Sequence, residues 1–199
     1  MTDHGRAAGL ALATVVDAVD PDGRGWVKVS FFGEGGIESD WIPLASSYAG
    51  NGYGSFFLPM TGDLAVVGFI SANADQPCVL GFLWNGGIAP PVAKDKQAAV
   101  RVIRTRQGKL LRLDDSDSAV VTLSDERGNR VTIDSSKDLV TLESAGDLTI
   151  RATGTLTLSG GTVAVKQTAE TAKLTLSAEG GTLAGGSSLK LSAAMIDLN

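Results

Sequence analysis

Along the back half of the chain, apolar residues recur in pairs one residue apart: Leu111/Leu113, Val121/Leu123, Val131/Ile133, Val140/Leu142, Leu148/Ile150, Leu156/Leu158, Val163/Val165, Leu174/Leu176, Leu189/Leu191 and Ile196/Leu198. A spacing of two puts both members of a pair on one face of a strand. The first seven pairs begin 10, 10, 9, 8, 8 and 7 residues apart, so the repeat tightens toward the C-terminus. Between pairs lie Gly128-Asn129, Ala145-Gly146-Asp147, Thr153-Gly154 and Gly160-Gly161, which let the chain turn after each short strand. The density of Thr, Val and Ser disfavours helix. The pattern predicts a β-solenoid or an intertwined β-helix. A six-residue step and a Gly-Gly-x-Gly-x-Asp repeat are both absent, which leaves an octad-like repeat.

The front half alternates differently. Leu10 to Asp20 is rich in Val, Ala and Thr and runs into the turn residues Pro21-Asp-Gly-Arg-Gly25. Trp26, Lys28 and Ser30 then alternate with Val27, Val29 and Phe31, and further strands are predicted at Ile37–Pro43, Leu64–Ile70 and Cys78–Leu83. Five short strands in about eighty residues fit a small Greek-key barrel of the oligonucleotide/oligosaccharide-binding (OB) type, with the strand order left open by spacing alone. Asn85 to Lys96, with Gly86-Gly87 and Pro90-Pro91, reads as a connector. The expected organisation is a flexible 1–8, a barrel at 9–84, a linker at 85–100, and a neck and β-helix at 101–199.

A single ribbon of such short strands would leave backbone groups unpaired and enclose no core. Several chains wound about one axis pair the edges and bury every aliphatic stripe, so a homotrimeric triangular prism is expected. Its core would be the pairs from Leu111/Leu113 to Leu189/Leu191. All six prolines lie at or before Pro91, as expected if the later strands are paired on both edges. The fold class is thus all-β, an OB-like barrel followed by a trimeric intertwined triple-stranded β-helix.

Composition narrows the chemistry. One cysteine, Cys78, forms no intrachain disulfide, and one histidine, His4, makes neither a zinc cage nor a His-based catalytic pair. Residues 1–100 carry five Lys/Arg against ten Asp/Glu, which would repel phosphate and disfavours nucleic acid as a partner. No apolar run is long enough for a membrane helix, and the first residues lack a signal-peptide pattern. Asp115-Ser-Asp117 with Glu126 lacks the glycine and third acid of a calcium loop. Gly50-Asn-Gly-Tyr-Gly54 precedes no helix and is no dinucleotide fingerprint. Ser55 and Ser187 lack a nucleophile elbow and a base. No catalytic residue, cofactor or metal is expected.

Several ordered segments carry a resemblance: Asp20-Pro-Asp-Gly-Arg-Gly-Trp-Val-Lys-Val-Ser-Phe, Ser39-Asp-Trp-Ile-Pro, Tyr48-Ala-Gly, Gly54-Ser-Phe-Phe-Leu-Pro, Thr61-Gly-Asp-Leu-Ala-Val-Val-Gly-Phe and Asp75-Gln-Pro-Cys-Val-Leu-Gly, then Ile103-Arg-Thr-Arg-Gln-Gly-Lys, Asp125-Glu-Arg-Gly-Asn-Arg-Val-Thr-Ile-Asp and Gly146-Asp-Leu-Thr-Ile. From about residue 9 onward the chain resembles the central spike proteins of contractile injection systems: phage baseplate spikes, type VI secretion VgrG proteins and spikes of extracellular contractile particles. The resemblance implies a non-enzymatic homotrimer, made in the cytoplasm without a signal peptide. It would be assembled into a baseplate and driven through a target envelope on sheath contraction, meeting the membrane only transiently. An inserted lysozyme domain has no room here, and the last residues lack the His-x-His iron apex of some phage spikes. The barrel pattern starts almost at once, which implies a short form joined to the tube by a separate hub protein. Met195, Ile196, Leu198 and Asn199 are expected to seat a Pro-Ala-Ala-Arg-repeat (PAAR) tip protein. The alternative reading is a carbohydrate- or nucleic-acid-binding OB barrel on a trimeric stalk.

Overall fold

The computed structural model describes residues 9–33, 35–166, 172–185 and 188. Contacts divide the chain into two units, one ending at Glu143 and one beginning at Ser144.

The first unit opens with a closed barrel. Strands β1 (Leu10–Asp17) and β2 (Lys28–Phe31) pair antiparallel, and β3 (Ala49–Gly50) and β4 (Tyr53–Gly54) form a separate small hairpin. Strand β5 (Leu64–Phe69) lies between β1 and β6 (Pro77–Phe82). The strand expected at Ile37–Pro43 is not continuous. It is an irregular segment bridged to the second strand's neighbourhood at Val27↔Ile42 and Ser30↔Glu38 and to β6 by a parallel Leu44↔Val79 bridge. Bonds from Val79 N to Pro43 O at 2.9 Å and from Ala45 N to Val79 O at 2.8 Å close the ring. The circuit therefore runs β1, β2, the 37–45 segment, β6, β5 and back to β1.

The interior is small and branched: Ala13, Val15, Val27, Val29, Ile42, Ala65, Val67 and Val79 are buried. Their period-two spacing leaves Trp26, Lys28 and Ser30 on the outer side of β2, as the alternation predicts. Cys78 is half-buried, and loss of hydration pushes its thiol pKa up. The turn after β1 is held by Asp20, whose carboxylate accepts from the Asp22 and Arg24 amides, both at 3.1 Å, and from Arg24 Nε at 2.9 Å. Its side chain is 1% exposed, and the Arg24 hydrogen bond holds its pKa down at about 2.

Strands β7 (Val100–Arg104), β8 (Leu110–Asp114), β9 (Val120–Ser124), β10 (Arg130–Asp134) and β11 (Leu139–Glu143) follow as an antiparallel meander in chain order. Three of its four turns are built by aspartates. Asp114 accepts from the Ser116 amide at 3.0 Å, and Asp134 from the Ser136 amide at 3.1 Å; Asp125 takes the Arg127 and Asn129 amides at 2.8 and 3.0 Å. These bonds satisfy turn amides, and side-chain hydrogen bonds from Ser116, Asn129 and Lys137 respectively, with the amides adding to them, lower the pKa values of Asp114, Asp125 and Asp134. In the second unit, β12 (Thr162–Lys166), β13 (Ala172–Ser177) and β14 (Gly180–Gly185) form a three-stranded antiparallel sheet.

Candidate functional site

Register turns the paired pattern of the sequence into a surface. Across β7 to β11, Ile103, Leu111, Leu123, Val131 and Leu142 stand opposite one another in one row. Leu113, Val121, Ile133 and Val140 form a second row that begins, on β7, with Arg101. Directly opposed residues share a face, so one side of the sheet carries two aliphatic rows. The reverse face carries Arg112, Thr122, Thr132 and Thr141 in a matching row.

Exposure in the single chain is inverted relative to chemistry. Leu123 is 58% exposed, Val140 68% and Leu142 54%, while the threonines behind them are half-buried. Leu111, Leu113 and Ile133 are also exposed, and Val121 and Val131 are half-buried. A contiguous aliphatic sheet face left bare to water is a surface built to be covered.

The next two pairs behave differently. Leu148, Ile150, Leu156 and Leu158 are each more than half exposed, and they lie outside every strand. Bends fall at 145–146, 153–154 and 160–161, with straight segments between them. Residues 148–158 make no hydrogen bond within the described chain. In the last sheet the pairs align again: Val163 stands opposite Leu176, and Val165, Leu174 and Leu183 share a row. Leu189, Leu191, Met195, Ile196, Leu198 and Asn199, and His4, lie outside the described residues.

Two members of the aliphatic face escape a scan for pairs. Around Ile103 that scan picks Val100 and Val102, which sit on the reverse face; only the Thr105–Lys109 hairpin, pairing Ile103 with Leu111, reveals the register. Leu183 likewise emerges from the turn at 178–179 that sets it opposite Leu174.

Of the candidate sites set aside in the sequence, Ser187 lies outside the described residues and the others sit in or beside turns and hairpins. Asp115 and Asp117 lie in an exposed turn, and Glu126 pairs with Lys109 at 3.1 Å. Gly50–Gly54 belongs to the β3–β4 hairpin, and Ser55 donates its amide to Tyr48 O at 2.8 Å. On the barrel, the Arg24 guanidinium lies 4.2 Å from the Trp26 ring centre and Lys28 Nζ 5.3 Å from that of Trp41, so both indoles already carry a cation.

Residues 11–84 match the family described as the type VI secretion system/phage-baseplate injector OB domain. These are the residues that build the closed barrel. Over this part the chain is similar to VgrG-like baseplate spike proteins. Among its relatives, the chain is 29% identical over 114 residues to the type VI secretion system spike protein VgrG5 of Pseudomonas aeruginosa, covering 52% of this chain and 14% of that protein. It is 36% identical over 75 residues to VgrG4b of the same organism, covering 35% and 9%. It is 28% identical over 106 residues to a Vibrio cholerae protein named actin cross-linking toxin VgrG1, covering 49% and 10%. The chain thus matches only about a tenth of the length of these relatives.

Proposed function

We propose that this chain is a baseplate spike, and that three copies of it assemble about a common axis, turning the aliphatic face of β7–β11 inward, to form a rigid, non-enzymatic needle that pierces a target envelope. The observation that carries this reading is the pair of register-matched aliphatic rows left bare while the threonine face behind them is half-buried. Three such faces turned toward one axis remove those side chains from water at about 25 cal/mol per Å² of apolar surface. Residues 148–158 support the same reading, because extended backbone without partners among the described residues is suited to pairing with strands of other chains. Leu148, Ile150, Leu156 and Leu158 then continue the core, followed by Val163, Val165, Leu174 and Leu176 and, further along, Leu189 and Leu191. A prism with hydrogen bonds and side-chain core running along its axis resists compression, and no chain unfolds without leaving two others.

At the needle's distal end, Met195, Ile196, Leu198 and Asn199 of each copy seat a PAAR-repeat tip protein, and the barrel joins a hub protein of the baseplate. Sedimentation equilibrium tests the assembly: a particle of three times 20.4 kDa is expected, and a single-chain mass at micromolar concentration sinks it. Deleting residues 193–199 is expected to abolish tip binding while leaving the trimer intact; retained binding removes the proposed seat.

A further inference from the structure

The barrel carries an aromatic cluster that the needle reading does not use. Tyr48, Tyr53, Phe56 and Phe57 are 62%, 59%, 73% and 65% exposed, and they wall a cleft of about 930 Å³. Scattered exposed hydrophobes are ordinary, but four large aromatics gathered around one cleft are a patch.

The patch is built and stiff. The Tyr48 and Tyr53 rings pack 5.4 Å apart, and Ser46 Oγ donates to Ser55 O at 2.8 Å, tying the base of the β3–β4 hairpin. Gly50 lies under the Tyr53 ring so closely that a Cβ there would fall 2.2 Å from it. Gly54, at φ +142°, faces the Tyr48 carbonyl, 2.5 Å from where a Cβ would stand. A surface held this firmly loses little entropy when something docks on it.

Continuity indicates what docks. The cleft is also lined by Ile103, the first member of the aliphatic row that continues through Leu111 and Leu123. Strand β7 is the first strand of the meander, so the aromatic cluster prolongs the bare apolar face past its edge. Whatever covers Ile103 and Leu111 therefore reaches the cleft as well. In a three-fold ring each contact joins two different surfaces of neighbouring copies, so the cleft need not meet its own counterpart.

We propose that the cleft walled by Tyr48, Tyr53, Phe56 and Phe57 is a second inter-subunit contact, filled by a neighbouring copy of this chain and sealing the barrel end of the shared apolar core. This rests on the trimeric reading above. The test is hydroxyl-radical footprinting of the full chain, quantified by mass spectrometry against the same chain unfolded in urea, on a sample whose mass has first been measured. The single-chain exposures slow oxidation by less than about twofold, whereas closure by a neighbour that excludes water slows it by more than about tenfold at these four residues. A trimeric particle with all four protected is the expected result. A trimeric particle with the four oxidised at single-chain rates overturns this contact, leaves the needle standing and assigns the patch to some other ligand. A monomeric mass overturns both.

Discussion

Replacing Leu123 by alanine tests the covered-face idea at its centre. Leu123 sits on β9, the middle strand, with Leu111 on one side and Val131 on the other. It has few neighbours to lose within its own chain, being 58% exposed. Burying a whole leucine contributes about 1.5–3 kcal/mol, so covering that exposed fraction contributes about 0.9–1.7 kcal/mol per copy. Three copies lose about 3–5 kcal/mol per trimer, before any added cost of the cavity left behind. At about 1.4 kcal/mol per decade this shifts the trimer dissociation constant by roughly two to four decades. The concentration midpoint varies as the square root of that constant, so it rises about 10- to 60-fold. Sedimentation equilibrium across a dilution series in mild denaturant reads this directly. Thr122→Ala, one residue along and on the reverse face, is the control and should leave the midpoint nearly unmoved. If Leu123→Ala behaves like Thr122→Ala, within the ±0.5 kcal/mol of an ordinary surface change, the face is not the interface and the prism fails.

Amide hydrogen exchange should find residues 148–158 protected in the native particle although they have no hydrogen-bond partner among the described residues; exchange there at unprotected rates would mean that no neighbouring strand pairs with them. Asp20 is held at about 2, below its ordinary 3.8, by the Arg24 hydrogen bond and turn amides. Because the folded value is the lower one, the stability it contributes is present above about pH 4 and lost as the pH falls toward about 2. Melts followed by tryptophan fluorescence should show the barrel's melting temperature falling through that window, with a shallower fall in Asp20→Asn; equal slopes would refute the linkage. Gly54→Ala should cost about 1–3 kcal/mol through strain and the clash with the Tyr48 carbonyl. Gly86→Ala, where a Cβ meets nothing within 4 Å, should be close to neutral in the same denaturation experiment.

Much of the barrel is legible as text because its interior is a period-two string: Val27 and Val29 inside, Trp26, Lys28 and Ser30 outside. The segment at Ile37–Pro43 reads as a strand by composition, yet it forms only bridges. It is shared between β2 and β6, one antiparallel and one parallel, and cannot satisfy a regular ladder with both. Turn chemistry at Asp20, Asp114, Asp125 and Asp134 is local, a carboxylate collecting amides two to four residues away, and belongs to the stretch of chain that contains it.

The chain alone determines which residues are apolar, how they pair and how the repeat shortens, because a spacing of two places side chains without reference to anything distant. It does not determine which pairs share a row. Val100/Val102 and Leu111/Leu113 look equivalent as text, and only the hairpin at 105–109 puts the first on the reverse face and Ile103 on the aliphatic one. The strand order of the barrel, the cleft that joins Tyr53 to Ile103, and the bareness of Leu123 beside the half-buried Thr122 are likewise decisions of tertiary structure. Each depends on contacts between residues far apart in the chain, whose closeness no local pattern encodes.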